Sequence, residues 1–101
     1  LWDESHLWGI LLHRAMKAFS IPEADWSALG AELIRRVGQL IHAIAATDPS
    51  IHVVDTQGTL VPAGIRDPGP TLHWQNEIHP TRAGYRMLGD VWERELERLF
   101  C

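Results

Sequence analysis

His79 is the residue whose type and setting best suit it for chemistry. It lies in residues 74–81, WQNEIHPT, directly before a proline. Pro80 cannot donate a backbone hydrogen bond and favours extended geometry in the residue before it, so we expect the imidazole on a rigid loop. Thr81 is a suitable N-cap for a following helix. The partial positive charge of a helix N-terminus disfavours an imidazolium, which favours the neutral ring that a general base requires.

A neutral histidine can take a proton from a serine hydroxyl and return it to a leaving group, provided that the serine lies within about 3 Å. The chain has four serines, and all of them occur at helix starts or in a turn, where serine is mostly a cap. They are Ser5, Ser20, Ser27 and Ser50. None of them is a credible nucleophile, so the hydroxyl has to come from another segment.

Two alternatives for His79 remain open. The first is an ordinary loop histidine packed by its neighbours. The second is a zinc ligand together with His73 and either Glu77 or Asp55. The His-x5-His spacing falls on an irregular segment with no helical register to aim both rings, so the spacing disfavours zinc and we expect no metal.

The composition is that of one soluble globular unit, or part of one, spanning residues 1–101. Hydrophobic residues make up 46% and charged residues 22%. The net charge of −4 gives no basic surface for nucleic acid. No apolar run approaches the roughly 18 residues of a membrane span, and no signal peptide is evident, so the default expectation is a cytoplasmic protein without a membrane partner. Cys101 is the single cysteine, which excludes an internal disulfide.

Three segments have apolar residues at spacings of three and four, the pattern of an amphipathic helix. They are residues 5–19, 25–46 and 81–100. In the second, an apolar stripe from Trp26 to Ile44 should face a core. Pro22 separates the first two helices, and Pro49 follows the second.

Residues 51–54, IHVV, are short, β-branched and bounded by Pro49 and Gly58, the pattern of a buried strand. Residues 56–77 have no sustained period and predict a long loop, a kind of segment that is often functional. A single strand cannot satisfy its own backbone groups. Its partner strands lie in an N-terminal portion outside this chain, or it pairs with another copy, or the strand prediction is wrong.

The run HWQNEIHPTRAGY, residues 73–85, resembles the C-terminal histidine block of bacterial SGNH (GDSL-like) hydrolases. In that block an Asp-x-x-His pair is followed by proline, a small residue and glycine. The upstream IHVVDTQGTL, residues 51–60, is similar to the strand and loop that precede the block. The resemblance covers about residues 25–100. It implies the C-terminal part of a flavodoxin-like three-layer α/β/α fold, mostly helical in this chain with one strand.

The resemblance also implies a reaction, the hydrolysis of a small ester, thioester or similar acyl substrate. Serine attacks, His79 acts first as base and then as acid, and backbone N–H groups hold the oxyanion, with no cofactor. We expect Trp74, on the loop beside the motif, to lie near the substrate pocket.

The group that orients His79 is open. Asn76 stands where the family has its aspartate. An amide can hydrogen-bond the ring but cannot stabilise imidazolium as a carboxylate does. Glu77, Asp55 or Asp67 can supply a carboxylate instead, or a Ser-His dyad with a backbone carbonyl can suffice.

The family's Gly-Asp-Ser nucleophile turn does not occur in this sequence. The resemblance therefore implies an esterase or lipase-like enzyme only when the chain joins an N-terminal segment of the same hydrolase or another copy. It implies that the chain alone is inactive. The rival hypothesis is an inert hydrolase remnant or a non-enzymatic association module. In that module the apolar stripes from Trp26 to Ile44 and from Leu88 to Leu99 pair with another chain or copy.

Overall fold

The computed structural model describes residues 11–67 and 70–101. The described chain has three α-helices, and a 3-10 turn, Glu23–Asp25, leads into the second of them. The helices are α1, Leu12–Ala18, α2, Trp26–Ala45, and α3, Arg82–Phe100. Within those residues no strand is present, and an isolated antiparallel bridge joins Trp74 to Pro80.

The predicted strand at residues 51–54 is wrong, and so are the α/β class and the flavodoxin-like three-layer fold. These residues have no ladder partner in the described part of the chain. β-branched side chains suit a sheet, but a strand forms only where a neighbouring backbone donates and accepts its hydrogen bonds. Residues 51–54 are therefore irregular backbone between α2 and α3, and the described chain is mostly helical.

The second and third predicted helices are confirmed to within a residue or two. The first, predicted over residues 5–19, is observed as α1, and residues 5–10 lie outside the described chain. It ends where Ser20 takes a left-handed conformation with φ of 54°. The N–H of Ile21 then donates to the carbonyl of Met16 at 2.9 Å, and the N–H of Ser20 to that of Lys17 at 3.0 Å. This is the Schellman ending of a helix, with serine at the position that glycine usually takes.

The buried apolar core of the described residues is small. Met16 and Trp26 are its members, at 4% and 6% exposure. The indole N–H of Trp26 donates to the carbonyl of Ile21 at 2.9 Å, and its ring lies 5.1 Å from that of His13. The core thus joins α1 to the start of α2. No described helix is long and apolar enough to cross a bilayer.

Of the apolar stripe of α2 that was predicted to face a core, Trp26 does so, but the prediction is wrong for the part from Leu33 to Ile44. The apolar side chains of this part are each 47–61% exposed. They are Leu33, Ile34, Val37, Leu40, Ile41 and Ile44, which we call the α2 stripe. One edge of the stripe is bordered by Gln57, whose amide donates to the carbonyl of Ile34 at 2.7 Å and lies against Gly38.

Candidate active site

Residues 72–81 form a closed loop before α3, which we call the histidine loop. Its two ends are held together by backbone and side-chain hydrogen bonds. The N–H of Thr81 donates to the carbonyl of His73 at 2.8 Å, and the Thr81 hydroxyl donates to the carbonyl of Leu72 at 2.6 Å. The same hydroxyl oxygen accepts the N–H of Gly84 at 3.2 Å and so caps α3, as predicted. The loop is therefore fixed to the first turn of the helix.

The close approach of the loop to α3 depends on Gly84. This residue is buried, and a Cβ atom built on it would lie 2.5 Å from the carbonyl oxygen of His73 and 3.0 Å from the Cβ of Pro80. Real Cβ atoms do not approach backbone oxygens so closely. Glycine at this position lets the helix pack directly on the two ends of the loop.

The tip of the loop is organised by the side-chain oxygen of Asn76. This Oδ1 accepts the backbone N–H of Ile78 at 3.0 Å and that of His79 at 2.8 Å. It also lies 3.1 Å from Nδ1 of the His79 ring. The carbonyl of His79 accepts the N–H of Gln75 at 2.8 Å, which closes the tip.

These contacts select a tautomer for His79. The two backbone donors identify the Asn76 atom as the carbonyl oxygen, which can only accept hydrogen bonds. The ring can bond this oxygen only if Nδ1 carries the hydrogen. In a neutral ring the lone pair is then on Nε2, which is the form that a general base uses. The ring belongs to an exposed residue, so a hydroxyl from another segment can approach it.

The carboxylates considered for orienting His79 make their contacts elsewhere. Glu77 accepts the backbone N–H of Leu11 and, at 2.8 Å, that of Leu12, at the start of α1. Asp55 accepts the N–H of Gln57 at 3.0 Å, and Asp67 accepts that of Gly64 at 2.7 Å. Asn76 is the orienting group that the described structure presents to the ring.

His73 and Trp74 together hold the backbone of Val61. The N–H of Val61 donates to Nδ1 of His73 at 2.9 Å, and the indole N–H of Trp74 donates to the carbonyl of Val61 at 3.0 Å. His73 is 7% exposed. The His73 ring, considered above as a zinc ligand and disfavoured, and the Trp74 indole, predicted to lie near a pocket, thus both attach the preceding loop to the histidine loop.

The role of His73 was missed in the sequence, because no spacing rule connects a histidine to a backbone amide twelve residues earlier. Among residues 11–67 and 70–101, no group of three histidine, cysteine or acidic side chains is placed to hold a metal ion. Nor does any described serine hydrogen-bond His79, and Ser50 donates instead to Asp48 at 2.7 Å.

Compared with known proteins, the chain matches no family model, no curated protein and no solved structure. The resemblance to SGNH hydrolases stays a prediction. It is carried by the sequences of residues 73–85 and 51–60.

Proposed function

We propose that this chain supplies His79 as the general base of a Ser-His acyl hydrolase, acting on a serine that another polypeptide segment contributes. The observation that carries the proposal is the 3.1 Å contact between Nδ1 of His79 and Oδ1 of Asn76. This contact leaves Nε2 as the basic nitrogen of His79, which is an exposed residue. The histidine loop around it is held by the hydrogen bonds described above. The substrate class is a small ester, thioester or similar acyl compound.

The chemistry needs a serine Oγ within about 3 Å of Nε2. As Oγ attacks the acyl carbon, its proton passes to Nε2, and the ring becomes imidazolium with both nitrogens protonated. The Nδ1–H stays bonded to Asn76 throughout. The proton on Nε2 then passes to the leaving oxygen or sulfur, and the ring repeats the two steps with water to free the acyl-enzyme.

Asn76 supports this cycle in one respect and weakens it in another. An amide placed beside a catalytic histidine can turn its NH₂ group to the ring and so select the wrong tautomer, which is how asparagine disables a serine-protease triad. Here the N–H groups of Ile78 and His79 keep the oxygen toward the ring. A neutral amide still stabilises imidazolium less than a carboxylate, so we expect a slower enzyme than one with aspartate.

The test is acyl transfer by the chain combined with any N-terminal segment of its reading frame or with a second copy. Turnover of p-nitrophenyl acetate and labelling of serine by a fluorophosphonate are measured for the wild type and for His79→Ala. We expect both rates to fall by at least about 100-fold, the usual contribution of a general base. His42→Ala is the matched control, because His42 is also an exposed histidine. Equal rates in the wild type and His79→Ala would refute the proposal.

A second candidate function is association with another polypeptide. It is favoured by the exposure of the α2 stripe, since an amphipathic helix that leaves its apolar face in water is stable only when a partner covers that face. This function does not require His79 to take part in catalysis. It is compatible with either an inert chain or an enzyme assembled from several segments.

A further inference from the structure

The chain exposes more surface than a folded monomer of its mass. Its accessible surface is 7557 Å². A compact monomer of 11.4 kDa exposes about 5,800 Å². The radius of gyration is 15.9 Å, against about 13 Å for a compact domain of this length. The excess, on the order of 1,800 Å², is more than the roughly 800 Å² that each partner buries in a stable complex.

The α2 stripe places six exposed apolar side chains within 12 consecutive residues of one helix. The loop residue Gln57 covers Gly38, which lies at one edge of the stripe about 100° around the helix from Val37, and the six apolar residues stay 47–61% exposed. The charged residue beside the stripe, Arg36, is paired with Glu32 of its own helix at 2.8 Å. A partner therefore covers the stripe without burying an unpaired charge.

Five of the six residues in the stripe are arranged symmetrically about Val37, and the sixth, Ile44, has Gly30 as its counterpart. Leu33 and Ile41 lie four positions before and after it, and Ile34 and Leu40 lie three positions before and after it. A two-fold axis beside Val37, perpendicular to the helix, places each of these residues against its counterpart on an antiparallel second helix. Self-complementarity of this kind defines the isologous interface of a symmetric dimer.

We propose that the α2 stripe is the interface of a homodimer in which two copies of α2 pack antiparallel about a two-fold axis beside Val37. The occupant of the stripe is thus a second copy of this chain. The inference rests on the second proposed function, association, and not on the catalytic role of His79.

The first experiment measures the mass of the full chain by sedimentation equilibrium over a range of concentrations. We expect a dimer, twice the 11.4 kDa of the chain. In Val37→Glu the two new carboxylates face each other at the axis, so the dissociation constant should rise by at least about 100-fold. The matched control is Leu96→Glu, which makes the same kind of change on the exposed face of α3. Because Val37 is half exposed in the single chain, helix content by circular dichroism should be unchanged.

The second experiment tests the antiparallel arrangement by oxidative cross-linking. It uses a Cys101→Ser background, because the natural cysteine is exposed. Val37→Cys should form an interchain disulfide, since the axis brings residue 37 against itself. Leu33→Cys alone should not, because its two copies lie about 12 Å apart along antiparallel helices. The double variant Leu33→Cys with Ile41→Cys should cross-link.

Each adverse result is specific. A wild-type chain that stays monomeric at every concentration overturns both self-association and this interface. A dimer that survives Val37→Glu and is lost in Leu96→Glu overturns this interface but keeps association as a function. Efficient cross-linking of Leu33→Cys alone overturns the antiparallel arrangement.

Discussion

The carboxylate of Glu77 accepts the backbone N–H of Leu12 at 2.8 Å, across 65 positions of sequence. The neighbouring N–H of Leu11 donates to the same carboxylate. These are amide groups at the start of α1, which have no partner within the helix. The histidine loop thus supplies the cap for α1, and the position of α1 is coupled to that of the loop.

Replacing Glu77 with alanine should destabilise the chain by about 1 kcal/mol, the usual cost of a lost helix cap. The effect arises because the amides of Leu11 and Leu12 lose a charged acceptor. The free energy of unfolding in urea measures it. Glu93→Ala, on the exposed surface of α3, is the control and should change stability little. Equal effects of the two substitutions would contradict the capping role.

Asn76→Ala should change the tautomer of His79. Without Oδ1 the ring loses its acceptor for Nδ1–H, and the backbone N–H groups of Ile78 and His79 lose theirs. We expect the neutral ring to shift from the Nδ1–H form toward the Nε2–H form. Nitrogen-15 chemical shifts of the ring, recorded above the pH at which imidazole is protonated, distinguish the two forms. An unchanged Nδ1–H form would show that Asn76 does not select the tautomer.

Gly84 and Gly89 of α3 offer a matched pair of substitutions. Gly84→Ala should destabilise the chain by about 1–3 kcal/mol, because the new methyl group collides with the carbonyl of His73. Gly89→Ala has open space around it and should stabilise α3 by roughly 0.5–1 kcal/mol through helix propensity. Thermal and urea unfolding measure both changes. If the two substitutions have effects of the same sign, the histidine loop does not pack on Gly84 as described.

The stability of α2 should depend on pH through Glu32. Hydrogen bonds from Arg35 and Arg36 lower the pKa of Glu32 from 4.5 to about 2. Because the pKa is lower in the folded state, the contribution to stability is complete above pH 4.5 and is lost as the pH falls toward 2. The difference in helix content between the wild type and Glu32→Gln, followed by circular dichroism, should close over that range. A constant difference from pH 5 to pH 2 would refute the assignment.

The sequence by itself determined the parts of this protein that depend on near neighbours. Periodicity and capping residues located α2 and α3 to within a residue or two, because a helix makes its hydrogen bonds within a few positions. The same holds for the histidine loop. Pro80 and Thr81 ended the loop and began the helix as their backbone chemistry requires, and Asn76 reaches His79 across three positions.

Only the tertiary structure decided what depends on distant partners. Residues 51–54 have the composition of a strand, but no described segment pairs with them, and a ladder cannot form within one strand. The α2 stripe has the pattern of a core helix and lies in solvent, because periodicity identifies an apolar face without specifying what covers it. The contacts of Glu77 with α1 and of His73 with Val61 are likewise set by how separate segments meet in space, which no local pattern encodes.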